Sequence, residues 1–497
     1  MRSALVVVML ASRAAIADPD ARADDTYDVM NLLARHGDHD LDDERWNAYG
    51  QVTWIEQAKL PFHAAYTNFG QPQGGQGNSL LPGYENSFSG TATIYAGAKL
   101  WPDAELYVAP ELISELPLSR LTGLGGAITN FEMQKGGSPS PAAYLSRLYL
   151  QQTIPLGGGH DVIASGPLSL AKKQLDRRRI VLTAGRFSLL DFFDKSTYAG
   201  DGRRQQINMA FVTYAAYDFT ADTRGYTWGG IAELYFDDWQ LRYARTAPPK
   251  LPNRSNLDFS FGLFDAATSP GGVEAHGDQV ELVHQHALDG HPGAVHVLAY
   301  SNYEYMGRFD DALVLFGGDP TTYSAAGCPD PMTSFANSIS KAFAPDMCLV
   351  RKGNTKQGIG ISAEQEVARD IGVFARAMYA DGETEVEAFT PTDRSVAVGA
   401  LARGGRWCRR NDYAGIGLGA GWISDEHAKY LELGGIDGFV GDGKLTPGTE
   451  TIAELFYGAN IASSIYLSGD YQFIVNPAFN SDRGPVHVFG ARLHAEF

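Results

Sequence analysis

The stretch Ala491-Arg492-Leu493-His494-Ala495-Glu496-Phe497 sets alanine, leucine, alanine and phenylalanine on one side of an extended chain and arginine, histidine and glutamate on the other. Successive side chains of a β-strand point to opposite faces, so this strand divides an apolar medium from a polar one. A soluble sandwich also alternates, but it turns a polar face outward and its apolar face to a core across many short strands. Lipid on one side and water on the other is the pattern of a transmembrane barrel, and the terminal Phe497 suits the strand that closes one.

The same rule holds upstream. In Thr91–Leu100 the even positions are apolar and the odd ones mostly polar; a turn at Trp101-Pro102-Asp103-Ala104 follows, and Glu105–Leu112 returns with Leu106, Val108, Pro110 and Leu112 outward. A second hairpin, Ile231–Phe236 and Trp239–Arg245 about Asp237-Asp238, sends Leu234, Phe236, Leu241 and Tyr243 out and Glu233, Gln240 and Arg242 in. The run Gly415-Ile416-Gly417-Leu418-Gly419-Ala420-Gly421-Trp422 has the glycines of a phosphate loop. Its alternation makes it a strand instead, since a dinucleotide loop needs a buried strand before it and a helix after it.

Residues 1–17 read as a cleaved signal peptide: Arg2, the apolar run Ala4–Ala11, then Ala15-Ile16-Ala17. That run is far short of the roughly 20 residues a spanning helix needs. Residues 18–45, rich in Asp and containing Val29-Met30-Asn31-Leu32-Leu33-Ala34, form a periplasmic or lumen segment with room for a short helix, and residues 46–497 form one barrel. About 480 mature residues accommodate about 16 antiparallel strands, with short periplasmic turns such as Asp237-Asp238 and long extracellular loops such as roughly 308–355. A barrel of that size encloses an aqueous channel.

Composition agrees. The chain has 56 Gly, 24 Tyr, 25 Phe and 7 Trp, with an ordinary 44% hydrophobic fraction, as a barrel apolar outside and polar inside requires. A net charge of -18 gives a nucleic-acid partner no basic footprint. Cys328 and Cys348 flank a polar, Pro-bearing segment and read as a disulfide formed in an oxidising compartment, which leaves Cys408 as a small wall residue. No zinc-type spacing, catalytic elbow or phosphate-binding lysine loop is present, so neither a metal, a cofactor nor an enzyme is expected. His284 and His286 share a strand face with Val280 and Leu282, which points to an interfacial role. Asp437-Gly438 and Asp442-Gly443 lack EF-hand spacing and read as turns.

By alternation Lys99, Glu105, Glu111, Glu233, Arg242, Asp470, Gln472, Arg492 and Glu496 face water, and rings of opposite charge among them would set a transverse field. Most members of such a set merely solvate a wall.

From about Trp46 to Phe497 the sequence resembles the carbohydrate-selective porin family of Gram-negative outer membranes. The resemblance is strongest over Ala221-Asp222-Thr223-Arg224-Gly225-Tyr226-Thr227-Trp228-Gly229 and the ending from Asp470 through Asn480-Ser481-Asp482-Arg483-Gly484-Pro485 to Gly490. Leu100–Tyr107 with Pro110-Glu111-Leu112, Gly185-Arg186-Phe187-Ser188 before Asp191 and Asp194, and Gly441–Leu445 support it. It implies a 16-stranded outer-membrane barrel that passes sugars by diffusion, assembles as a homotrimer, and is inserted through the barrel-assembly machinery by the strand ending Phe497. Arg186, Asp191 and Asp194 follow the family motif, with Arg224 and Tyr226 similarly placed; each group either shapes a constriction or pins a loop by a wall salt bridge. Cys408 and the 308–355 loop depart from the family pattern. An outer-membrane hydrolase and a secreted sugar-binding sandwich are the rival readings; bilayer conductance blocked by oligosaccharide excludes the first, and a need for detergent the second.

Overall fold

The computed structural model describes residues 28–70, 77–133, 135, 137–260, 270–317 and 343–497; residues 1–17 and Cys328 lie outside them. A helix, Val29–Arg35, capped by the Asp28 carboxylate, precedes the strands. The first strands are β1 (Trp46–Lys59), β2 (Glu85–Trp101), β3 (Ala104–Leu116) and β4 (Ala142–Pro155). A small hairpin follows, β5 (His160–Ile163) with β6 (Lys172–Asp176). Next come β7 (Arg179–Phe187), β8 (Thr227–Phe236), β9 (Trp239–Thr246), β10 (His276–Leu288), β11 (His291–Met306) and β12 (Lys352–Ala368). The chain ends with β13 (Ile371–Ala380), β14 (Arg394–Arg403), β15 (Tyr413–Trp422), β16 (Glu450–Ala462), β17 (Ile465–Val475) and β18 (Val486–Glu496).

All but β5 and β6 form one closed antiparallel barrel of sixteen strands, sealed where β1 meets β18 from Gln51 opposite Glu496 to Lys59 opposite Val488. Closure satisfies every strand's ladder, the condition for crossing a bilayer with strands. Phe497 extends the seam by donating its N–H to the Gly50 carbonyl (2.8 Å) and accepting from the Gly50 N–H (3.1 Å).

The expected faces are present: Ile94, Leu112, Leu234, Leu241 and Leu493 are exposed outward, while Thr93, Glu111, Glu233, Arg242 and Arg492 are buried inward. Rings gather at the short-turn end of the outer wall, where Trp239 stacks on His284 (4.3 Å), and near the long-loop end, where Trp54 stacks on Phe88 (4.9 Å). These are the aromatic belts of the membrane interfaces.

The inside is not an empty pipe. Segments from the long-loop end, notably 188–226 and 384–393, fold into the lumen and build apolar clusters there around Phe211, Phe219 and Phe389. The inward glycines of β15 make room for them: a Cβ on Gly417 would stand 2.7 Å from the Phe211 ring, and one on Gly421 would stand 2.9 Å from Thr392.

Three readings need correction. Cys408 is not in the wall; it is exposed in the turn between β14 and β15 with left-handed backbone (φ 62°), because β14 ends at Arg403. The 308–355 loop is not simply polar: the helix Phe309–Gly317 opens it and buries Phe309 and Ala312. The β4–β7 connection at the short-turn end is long, since it carries the β5–β6 hairpin, which docks through Glu44 to Ser165 and Ala171.

Candidate functional site

On the lumen side, β2–β4 meet segments 117–141 and 188–226 through a cluster of charged and aromatic side chains. A β-bulge sets this up. Ala109 opposes Arg147 and Pro110 opposes Leu145, so Ser146 is an extra residue in β4. Its hydroxyl donates to the Ala109 carbonyl (2.6 Å). Pro110 has no N–H for the ladder, which makes the position a natural one for a bulge. The inserted residue shifts the side-chain period, so Tyr144 and Arg147, three apart, both point inward.

Arg147 forms a two-pronged ion pair with Asp191 (2.6 and 2.7 Å), and its guanidinium lies over the rings of Tyr226 (5.3 Å) and Tyr95 (5.7 Å). Lys135 reaches Glu111 (3.3 Å), and Arg203 reaches Glu132 (3.3 Å) and Glu111 (3.8 Å). Glu111 also accepts from Thr93 (2.7 Å), Tyr226 (3.4 Å) and Tyr144. Arg224 sits 4.6 Å over the Tyr144 ring. Burial disfavours the Lys135 ammonium, but Glu111, Tyr226 and Glu132 outweigh it and hold its pKa above the usual lysine value. Glu132 outweighs the same desolvation for Arg203, so both groups stay charged.

The layering is specific. Tyr144, Arg147, Lys135 and Arg203 are half-buried, whereas Glu111 and Glu132 are buried behind them. The three cations and the Tyr144 phenol therefore meet the lumen, and Glu111 on β3 and Glu132 on the inner segment balance them from behind. Such a surface offers N–H and O–H donors for hydroxyl oxygens and ring faces for C–H groups.

Of the residues singled out from sequence, Glu111, Asp191, Arg224 and Tyr226 come together here. Arg186 stands beside them on an outward-facing position of β7, pairing with Asp222 (2.6 Å) at the rim. Asp194 lies deeper, accepting from Thr213 (2.6 Å) and from the Tyr214 N–H (2.8 Å). Glu233 and Arg242 belong to a separate network with Glu281 on β8–β10, with Arg242 at 3.0 Å from Glu233 and 2.7 Å from Glu281. Arg492 and Gln472 support the inner segments: Arg492 donates to the carbonyls of Gly202 (2.6 Å) and Gln205 (2.8 Å), and Gln472 donates to that of Thr129 (2.8 Å). Gln472 also donates to Asp470 (3.0 Å). Lys99, Glu105 and Glu496 sit toward the short-turn end: Lys99 exposed, Glu105 paired with Lys172 (2.5 Å), Glu496 near His494 (3.0 Å) and Arg204 (3.8 Å).

Tyr95, Glu132, Lys135, Tyr144, Arg147 and Arg203 were not singled out from sequence. Within Ala142–Pro155 the signal was the break in alternation at Leu145-Ser146-Arg147. The inner segments carry no period to read.

A closed sixteen-stranded barrel with belts of rings outside and a charged lumen defines a diffusion channel of the Gram-negative outer membrane. Its fold is similar to that of Pseudomonas putida OprB at high pH, with a TM-score of 0.62, 17% identity, and 91% of this chain covering 94% of that one. Weaker likenesses are the same protein at low pH (TM-score 0.47, 12% identity, 95% and 97% coverage) and OmpT of Vibrio cholerae (0.44, 10%, 91% and 97%). No curated protein matches the sequence. Residues 87–497 match the model of the carbohydrate-selective porin, OprB family, and the chain belongs to that family. It is an outer-membrane porin through which carbohydrates diffuse passively, and its family and fold are those of a channel rather than an enzyme.

Proposed function

We propose that sugars are sorted at the constriction framed by Tyr144, Arg147, Lys135, Arg203 and Tyr226. The observation that carries this is the bulge at Ser146, which aims Tyr144 and Arg147 into the same cluster. The guanidinium and ammonium groups donate to hydroxyl oxygens while the half-buried Tyr144 ring receives the C–H faces; Tyr226, buried beneath Arg147, holds that guanidinium in place. Contacts of this kind are weak and replaceable by water, so a solute enters and leaves without energy input. Four cations, Arg147, Lys135, Arg203 and Arg224, stand with three carboxylates, Glu111, Asp191 and Glu132, so most of the charge is paired within the site, which suits neutral solutes.

Liposome swelling with sugars and size-matched amino acids tests the reading. The parent protein is expected to favour sugars, and Arg147→Ala with Lys135→Ala to remove that preference while keeping the channel open. Equal rates for both solute classes in the parent end it.

The same reading includes export with loss of residues 1–17, recognition of the strand ending Phe497 by the barrel-assembly machinery, a homotrimer in outer-membrane lipid, a Cys328–Cys348 disulfide and no catalytic step. Intact mass of the mature protein, reducing against non-reducing gels and native mass in detergent check the leader, the disulfide and the trimer in turn.

A further inference from the structure

Outside the barrel, on the wall rather than in the lumen, a groove of about 870 Å³ runs across β9–β13 toward the long-loop end. Its lower lip is Val280, Ala299 and Ile359, which continue the apolar outer face. Its upper part is polar: Asp278, Ser301, Gln357 and Asp381. Each of these four lies eleven or twelve residues along its strand from the short turn at Asp289-Gly290 or Arg369-Asp370. At about 3.3 Å per residue and a tilt of about 40° that is roughly 28 Å, just above an apolar band about 25 Å tall. The groove therefore lies where acyl chains end and lipid headgroups begin.

Its charges are nearly closed among themselves. Arg245 holds Asp278 (2.8 Å) and Arg308 holds Glu383 (2.5 Å). Asp381 accepts from the backbone N–H groups of Gln357 (2.8 Å) and Glu383 (3.3 Å) and has no ion pair among the described residues. A bare phosphate would meet that carboxylate at a cost, whereas hydroxyl groups can donate to it. Exposed Tyr379 and half-buried Tyr303 add ring surface for C–H groups.

We infer that this groove holds the headgroup of a glycolipid of the outer leaflet, its sugar hydroxyls on Asp381 and Gln357 and its acyl chains along Val280 and Ile359. The occupant follows from continuity and charge: one surface is apolar below and hydroxyl-binding above, and an uncharged sugar headgroup on acyl chains presents both in that order without setting a phosphate against Asp381. The site is separate from the permeation path.

The test uses the full barrel in nanodiscs containing equal mole fractions of diglucosyl-diacylglycerol and phosphatidylglycerol, released for native mass spectrometry. The glycolipid is expected to remain bound about fivefold more often than phosphatidylglycerol, the effect of one well-placed hydrogen bond. Gln357→Leu with Asp381→Leu, which face outward and leave the lumen untouched, should bring that ratio to about one. Thr451→Leu, on β16 and also exposed, should leave it unchanged. Parity of the two lipids in the parent, or a ratio unmoved by the double variant, overturns the assignment. So does disulfide crosslinking between copies through Gln357→Cys, because a second copy would then be what covers the groove.

Discussion

Two ion networks line the same barrel and do opposite things. Around Arg242, the pairs to Glu233 and Glu281 are shut beneath the inner segments, with the arginine side chain 8% exposed and Glu281 fully buried. Around Glu111 the carboxylate is just as deep, but Lys135 and Arg203 keep a tenth to a fifth of their side-chain surface in the lumen. Identical chemistry thus braces the structure where water is excluded and, in the proposed reading, filters solutes where water remains. Access, rather than residue type, separates them.

Removing Arg242 is the strongest way to break that comparison. Arg242→Leu takes the guanidinium from two buried carboxylates, leaving Glu233 with the Tyr235 hydroxyl (2.9 Å) and Glu281 with His296 (3.4 Å), and the loss of one partner from such a network costs about 3–5 kcal/mol. The expected result is a barrel that unfolds at clearly lower urea concentration, while any protein that does fold keeps its sugar preference.

Next in size is a third region, at the long-loop mouth. His427, on the helix Asp425–Glu432, has Nδ1 at 3.0 Å from Asp393 and Nε2 at 3.2 Å from Asp437, and stacks on Phe309 (4.2 Å). Burial disfavours the imidazolium, but Asp393 and Asp437 outweigh it and raise its pKa to about 9. The folded value exceeds the unfolded one, so the stabilisation is complete below about pH 6.5 and is lost as pH rises through about 9; it amounts to about 3 kcal/mol. Hydrogen-exchange protection factors in 381–393 and 423–449, with the intrinsic base-catalysed rise of exchange divided out, should fall between pH 8 and 10, and His427→Gln should flatten that fall.

At the proposed filter, Arg203→Ala leaves Glu111 with Lys135 and Glu132 with the hydroxyls of Ser89 (3.1 Å) and Thr91 (2.9 Å), and opens space in the lumen. Single-channel conductance is expected to rise about twofold, with stability shifted by about 1 kcal/mol, since the lost pair was partly solvated. Smallest of all is Arg178→Ala at the exposed pair with Asp237 (2.8 Å), which should change neither unfolding nor permeation.

Much of the wall was legible before any coordinates, because a strand's period of two is local. Leu493 and Arg492 announce their faces to anyone counting by twos, and so do Leu234 and Glu233. The filter was only half legible. Glu111 and Tyr226 lie in recognisable stretches, but Arg147 owes its direction to an inserted residue that breaks the count. Lys135 and Arg203 reach the lumen on segments whose course depends on contacts hundreds of residues away, such as Arg492 with Gly202. The glycines of β15 were read correctly as alternation, yet their purpose became visible only with Phe211 against them.

Those glycines have a further consequence. Phe211 belongs to the same inner segment as Arg203, and it can lie against the wall only because Gly417 carries a hydrogen where other residues carry carbon. The bore of this channel is thus gauged from the wall itself: a single methyl group at residue 417 would act as a shim, pushing the segment toward the axis and narrowing the passage without touching any residue that meets the solute.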